Sequence, residues 1–245
     1  MGTPKWTLNV VGGGLLYLVG CSPKPEGTVP VSISPESAHL NIATRGSPID
    51  TFGVFMDSLS IGRKGLNRLD MVQCRTTDGQ FVRLRLFGRS NGSERLLQEI
   101  SFEKEGPSGL NAQVVDFNND GFNDLTCISA TAARGANEVR RLWIYDPKAD
   151  SLVYMKNSMN YPNLLYNERL DCIDAFLVYG GCSTVFLKIA GDSLKETARV
   201  ELFEGLTVTR IDRNGKERVI LKDTSNHAGY IRYKNFDPLE VYDDY

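Results

Sequence analysis

NRLDMVQCRTTDGQFVRLRLF, residues 67–87, sets the pattern for the rest of the chain. Asn67 to Arg75 and Gln80 to Phe87 are period-two runs, and Asp78-Gly79 between them supplies the positive φ that a tight hairpin needs. Arg83 and Arg85 alternate with Val82, Leu84 and Leu86, so one face of this pair meets water. The same pattern continues downstream. Strands are predicted at Leu97 to Phe102, Ala112 to Phe117, Asp124 to Ser129, Arg141 to Tyr145, Leu152 to Met155 and Cys172 to Tyr179. More follow at Thr184 to Ile189, Ala198 to Phe203, Thr207 to Ile211, Glu217 to Leu221 and Tyr230 to Tyr233. Turns fall between them at Asp146-Pro147, Gly180-Gly181, Gly191-Asp192 and Asn214-Gly215. Only Asn163 to Leu170 has room for a turn of helix. The expected fold is all-β, an antiparallel meander of about a dozen short strands, with a propeller-like arrangement favoured over a sandwich.

Composition narrows the function. The 245 residues carry 28 Lys plus Arg against 30 Asp plus Glu, a net charge of −2, which gives no basic field for a phosphate backbone and argues against nucleic acid as partner. With 41% apolar residues the chain can bury a core, so disorder is excluded as its main state. Two histidines, His39 and His227, rule out multi-histidine metal sites.

Residues 1–20 read as a signal peptide: Lys5 and the free amine form a positive start, and Trp6 to Val19 is apolar apart from Thr7, Asn9 and three glycines. The run is too short to span a bilayer as a helix. Leu18-Val19-Gly20-Cys21 resembles the bacterial lipobox, which implies that Cys21 is acylated and becomes the first mature residue, anchored to the membrane. Ser22 follows in place of the aspartate that retains lipoproteins at the inner membrane, so the periplasmic side of the outer membrane is expected, with the cell surface as alternative. Residues 21–50 hold Pro23, Pro25, Pro30, Pro35 and Pro48 and read as an extended tether, with Val29 to Ile33 able to form an edge strand. The β domain is expected over 51–236. An acidic tail, 237–245, is expected to be solvated.

One loop carries metal chemistry. In Asp116-Phe117-Asn118-Asn119-Asp120-Gly121-Phe122-Asn123-Asp124, oxygen side chains stand at positions 1, 3, 5 and 9, the Phe122 carbonyl at 7 and a bend-making glycine at 6. Asp116, Asn118, Asp120, Phe122 and Asp124 form an all-oxygen donor set that suits Ca2+ over magnesium or zinc. Position 12 is Cys127, so this is not an EF-hand. The run from Val114 to Leu125 resembles the strand-embedded calcium loop of FG-GAP and VCBS repeats. The alternative is a polar hairpin turn that uses Asn119-Asp120-Gly121 for its dihedrals alone. Asp212-Arg213-Asn214-Gly215 lacks the later acids and reads as a bare turn.

The order of this loop, then Leu142-Trp143-Ile144-Tyr145-Asp146-Pro147, Leu152-Val153-Tyr154, Leu164-Leu165-Tyr166-Asn167 and Tyr179-Gly180-Gly181, is similar to a family of bacterial lipoproteins over about residues 108–190. That family is typified by a periplasmic immunity protein against a type IV secreted, family 19 peptidoglycan hydrolase. The resemblance implies a binding role, the occlusion of an incoming peptidoglycan hydrolase effector, and no enzymatic activity. Tyr161, Tyr166, Tyr179, Gly180 and Gly181 are the candidate partner-binding residues, since tyrosine anchors are enriched at interface centres, although packing in a core is the commoner fate of any one of them.

Other readings compete. A calcium-dependent glycan- or cell-wall-binding lipoprotein would use the metal or aromatics near it, and Trp143 is the one tryptophan after the signal peptide. Gly88-Arg89-Ser90-Asn91-Gly92 matches the nucleophile elbow of serine hydrolases, with His227 downstream. The strand before it is half wet and no alternating helices follow, so a hydrolase is the weaker reading. Cys74, Cys127, Cys172 and Cys182 allow three disulfide pairings, or serve as buried thiols.

Overall fold

The computed structural model describes residues 50–77, 79–104, 109–225 and 229–243. The segments expected to be a signal peptide and a proline-rich tether, with Cys21 and Val29 to Ile33, and His227 lie outside the described residues.

The fold is all-β. Among the described residues sixteen strands are joined in sequence order into successive antiparallel meanders, and the only helical segments are 3-10 turns at Ala133–Gly135 and Ser158–Asn160. The first sheet is β1 (Asp50–Asp57), β2 (Asn67–Thr76), β3 (Gly79–Ser90) and β4 (Ser93–Glu103). The second is β5 (Gln113–Val115), β6 (Asp124–Ala132), β7 (Asn137–Asp146) and β8 (Ser151–Tyr154). The third is six-stranded: β9 (Leu165–Asn167), β10 (Cys172–Val178), β11 (Cys182–Ala190), β12 (Ser193–Leu202), β13 (Leu206–Ile211) and β14 (Glu217–Asp223). A closing hairpin pairs β15 (Tyr233–Phe236) with β16 (Leu239–Val241). The two four-stranded meanders have the strand order of propeller blades, and among the described residues no sheet closes on itself.

Three cores lie between these layers. Leu69, Met71, Leu84 and Leu86 of the first sheet meet Leu125, Trp143, Tyr145 and Leu152 of the second. The opposite face of the second sheet, with Leu142 and Ile144, meets Ile173, Ala175, Val185 and Leu187 of the third. The far side of the third sheet, with Phe176, Phe186, Val200 and Val208, is covered by Tyr233 and Phe236. Strand β7 is therefore buried on both faces, which is why Leu142 to Tyr145 is a continuous apolar run and not an alternating one.

The hairpin at 76–79 forms as expected, with Thr76 paired to Gly79; Asp78 itself lies outside the described residues. Three expectations are corrected. Asn163 to Leu170 holds no helical turn: Asn163 sits at φ 56°, and its side chain donates to the carbonyls of Ala136 and Phe176 and accepts the Glu138 amide, which leaves β9 extended behind it. The strand expected at Tyr230 to Tyr233 begins at Tyr233 and runs to Phe236. The acidic tail is not simply solvated. Strand β16 forms inside it, Glu240 pairs with Arg169 at 2.9 Å, and the Tyr242 hydroxyl donates to buried Asp174 at 2.5 Å. Strand β1, absent from the predicted set, is an edge strand whose apolar Val54 and Met56 face outward.

Candidate calcium loop and aromatic groove

Val115 pairs with Asp124, so residues 116–123 close the β5–β6 hairpin. Asp116 organises this loop: Oδ2 accepts the amide of Gly121 at 2.8 Å, and Oδ1 accepts those of Asn118 at 3.2 Å and Asp120 at 3.3 Å. Asp120 Oδ1 accepts the Phe122 amide at 2.9 Å, while its Oδ2 accepts Asn118 Nδ2 at 2.9 Å. Gly121 holds φ 87°; an added Cβ would meet nothing within 4 Å, so glycine is needed there for conformation and not for space.

Asp124 is fully buried and ties the loop to the second sheet. Its Oδ2 accepts the amide of Phe117 at 2.7 Å and its Oδ1 that of Tyr145 at 2.8 Å. Burial pushes its carboxyl up to about 7; the two amides pull the other way, and the charges of Asp120 and Asp116 add to the rise. A second contact fixes the loop from outside, where Asn123 Nδ2 donates to the Ser60 carbonyl at 3.0 Å and the Asn123 carbonyl accepts the Gly62 amide at 2.9 Å.

Among the described residues no lysine or arginine pairs with Asp116, Asp120 or Asp124. The donor chemistry fits a hard divalent cation, because every available ligand is an oxygen and the local negative charge has no protein counterion. No three His, Cys, Asp or Glu side chains converge as a metal-holding group among the described residues. The carboxylates are turned to backbone amides, and chelation would draw Asp116, Asn118, Asp120 and the fully buried Asp124 away from these bonds, with the Phe122 carbonyl completing the set.

The partner-binding candidates do not form one patch. Tyr161 packs on the second core and its hydroxyl donates to Glu196 at 3.4 Å. Tyr166, on edge strand β9, also packs there and donates to Asp171 at 2.8 Å. Tyr166 pairs with Ile173 near the start of β10, whereas Tyr179 follows its end, about 20 Å away. Tyr179 is 41% exposed and donates to Glu201 at 2.9 Å. With Gly180 and Gly181 it forms the β10–β11 turn.

That turn borders a groove of about 520 Å³ with the Phe203–Gly205 turn and the chain at Thr224, Ser225, Gly229 and Tyr230. Four aromatic side chains are exposed among the described residues, and three of them, Tyr179, Phe203 and Tyr230, belong to this end of the third sheet. The rings of Tyr179 and Phe203 lie 6.3 Å apart. Two glycines allow the turns to approach the neighbouring backbone: a Cβ on Gly181 would stand 2.1 Å from the Leu202 carbonyl oxygen, and one on Gly205 2.6 Å from that of Asp223. Phe203 and Tyr230 were not among the candidates; the Phe203-Glu204-Gly205 turn following a strand is the signal that marks the first.

The remaining candidates resolve into structure. Ser90 ends β3 and pairs with Ser93 across Asn91 and Gly92, both at positive φ, so the elbow-like letters spell a hairpin turn. Asp212 likewise accepts the amides of Asn214 and Lys216 in a turn. Trp143 is buried between Phe102 and Tyr154 and offers no sugar platform. All four described cysteines are free thiols and buried. Burial pushes Cys127 and Cys172 up to about 12, which leaves them unreactive.

No protein-family model matches the chain, and no curated protein matches it. Among solved structures it is similar to a Xanthomonas type IV secretion system related protein at 10% identity and a TM-score of 0.45, over 71% of this chain and 99% of that one.

Proposed function

We propose that this chain is a membrane-anchored, calcium-braced immunity protein that inhibits a peptidoglycan hydrolase effector. The observation that carries the reading is the groove at the end of the third sheet, where Tyr179 and Phe203 stand exposed on turns that Gly181 and Gly205 hold against the sheet, with exposed Tyr230 on the chain that borders it. Rigid aromatic side chains on short turns lose little entropy when a partner covers them, which suits an inhibitor that must bind tightly. The calcium loop lies at the β5–β6 hairpin and would stiffen the scaffold. The lipobox at Cys21 supports placement at the periplasmic face of the outer membrane.

The test is hydrolysis of peptidoglycan by family 19 and lysozyme-type enzymes, including any encoded beside this gene, with and without the purified full chain and calcium. Stoichiometric inhibition that Tyr179→Ala weakens would support the reading. Binding to isolated peptidoglycan with no inhibition of a neighbouring hydrolase would replace it with the glycan-binding one.

A further inference from the structure

The connection between β1 and β2, residues 58–66, reaches from the first sheet to the acidic loop of the second. Asp57, the last residue of β1, shapes it: Oδ1 accepts the amides of Ser60 at 2.9 Å and Ile61 at 2.7 Å, and Oδ2 accepts the Ser60 hydroxyl at 2.5 Å. Held in this way, the connection grips Asn123 from two sides. The Ser60 carbonyl accepts Asn123 Nδ2 at 3.0 Å, and the Gly62 amide donates to the Asn123 carbonyl at 2.9 Å. Ile61 is fully buried in the first core, so the connection is itself anchored. Asn123 is not a donor, but it stands between two of them. Its nitrogen shares one rigid peptide plane with the Phe122 carbonyl, and its carbonyl shares the next with the Asp124 nitrogen.

A second route joins the same connection to Phe122 through Tyr145. The Phe122 and Tyr145 rings lie 5.7 Å apart. Gly62 sits against the Tyr145 ring so closely that an added Cβ would stand 2.7 Å from Cε2. The Tyr145 hydroxyl donates to Asp150 Oδ1 at 2.5 Å, and Asp150 holds the far end of the connection, where Asn67 Nδ2 donates to it at 3.0 Å and Arg63 pairs with it at 3.2 Å. Asn67 Oδ1 closes the circuit by accepting the Arg63 amide at 2.7 Å. Phe122 is thus fixed along its main chain by Asn123 and at its ring by Tyr145, and residues 58–66 bear on both.

We propose that the β1–β2 connection is a clamp that positions the Phe122 carbonyl for calcium, so that calcium binding in turn tightens residues 58–66 on the second sheet. The inference rests on the calcium reading of the 116–124 loop. An ion on the Phe122 carbonyl and a hydrogen bond on the Asn123 carbonyl restrict successive peptide planes of one short run, so each removes freedom that the other would otherwise have to restrict. Linkage makes the effect reciprocal: whatever loosens the clamp weakens the ion by the same factor by which the ion strengthens the clamp. Asp57 and Asn123 are positioning residues in this scheme, and Asp57 touches no donor of the loop. The exposed Leu59 and Leu66 ride on the clamp, which makes this edge of the first sheet responsive to calcium.

The experiment combines amide hydrogen exchange with calorimetric calcium titration of the full chain. In the wild type, calcium should slow exchange at the Ile61 and Gly62 amides about tenfold relative to chelator. The Asn214 and Lys216 amides, held by Asp212 in a remote turn, should exchange at the same rate in both. Asp57→Ala should weaken calcium binding about tenfold. Asp57→Asn removes the same charge but keeps an acceptor for the Ser60 and Ile61 amides, so it should restore most of the affinity. Calcium binding with exchange at Ile61 and Gly62 unchanged overturns the clamp and leaves the calcium brace standing. So does an Asp57→Ala variant that melts lower yet binds calcium as the wild type does, which assigns Asp57 a structural role alone. Equal losses in Asp57→Ala and Asp57→Asn overturn it too, because they assign the effect to charge. No calcium binding by the wild-type chain removes the calcium reading itself, and the clamp with it.

Discussion

Asp124 accepts the backbone amide of Tyr145 at 2.8 Å from a fully buried position, so the last oxygen of the acidic loop is also a tie between adjacent strands. This places a carboxylate where water cannot solvate it, and burial pushes its carboxyl from 3.8 up to about 7. The sign of the linkage is fixed: the calcium-free fold binds this proton more tightly than the unfolded chain does. Stability from this group is then full below about pH 4 and is lost as pH rises to about 7, by up to about 4 kcal/mol. Thermal unfolding in chelator, compared with Asp124→Asn, should show a slope over this window that the variant lacks. Parallel pH profiles would contradict the assignment.

The closing hairpin is locked by one buried ion pair. Arg232 and Asp174 are almost fully buried; Arg232 Nε donates to Asp174 Oδ1 at 2.7 Å, and Asn167 Nδ2 and the Tyr242 hydroxyl donate to Oδ2. Removing one partner strands a charge in the interior, so Arg232→Met should cost about 3–5 kcal/mol in chemical denaturation. Tyr242→Phe removes one hydrogen bond to the carboxylate and should cost about 2 kcal/mol. Equal and small losses would mean that the tail is dispensable.

Adjacent glycines in the groove turn have different tasks. At Gly180 an added methyl would meet only Phe203 Cε2 at 3.8 Å, an ordinary contact, whereas at Gly181 it would collide with backbone. Gly181→Ala should therefore destabilise by about 1–3 kcal/mol, and Gly180→Ala should leave the melting temperature within about a degree. Melting curves of the two variants check this, and the reverse order would reject the geometry.

Much of the fold is legible in the residues themselves. Period two in Asn67 to Phe87 gives the β2–β3 hairpin, and the unbroken apolar run Leu142 to Tyr145 marks a strand covered on both sides. Legibility ends where tertiary contacts override local pattern. Strand β1 carries apolar residues outward, so alternation alone would turn the wrong face inward. The tail reads as solvated because it is acidic, yet Glu240 meets Arg169 and Tyr242 reaches Asp174, partners about 70 residues earlier in sequence that no local window contains. At the loop, residue types and spacing give the donor set, while the use of Asp116 and Asp124 as amide acceptors emerges only in three dimensions. For the tyrosines, sequence supplies candidates but not their separation, which the length of β10 sets.

The central claim is that the 116–124 loop is a calcium brace, and calorimetric titration of the chelator-treated full chain with calcium tests it most directly. The account predicts one binding site, a higher melting temperature with calcium, and an affinity loss of about tenfold or more in Asp120→Ala, since such loops tune affinity over decades through their ligand charge. No heat of binding in the wild-type protein, or an Asp120→Ala variant with unchanged affinity and melting temperature, would contradict it.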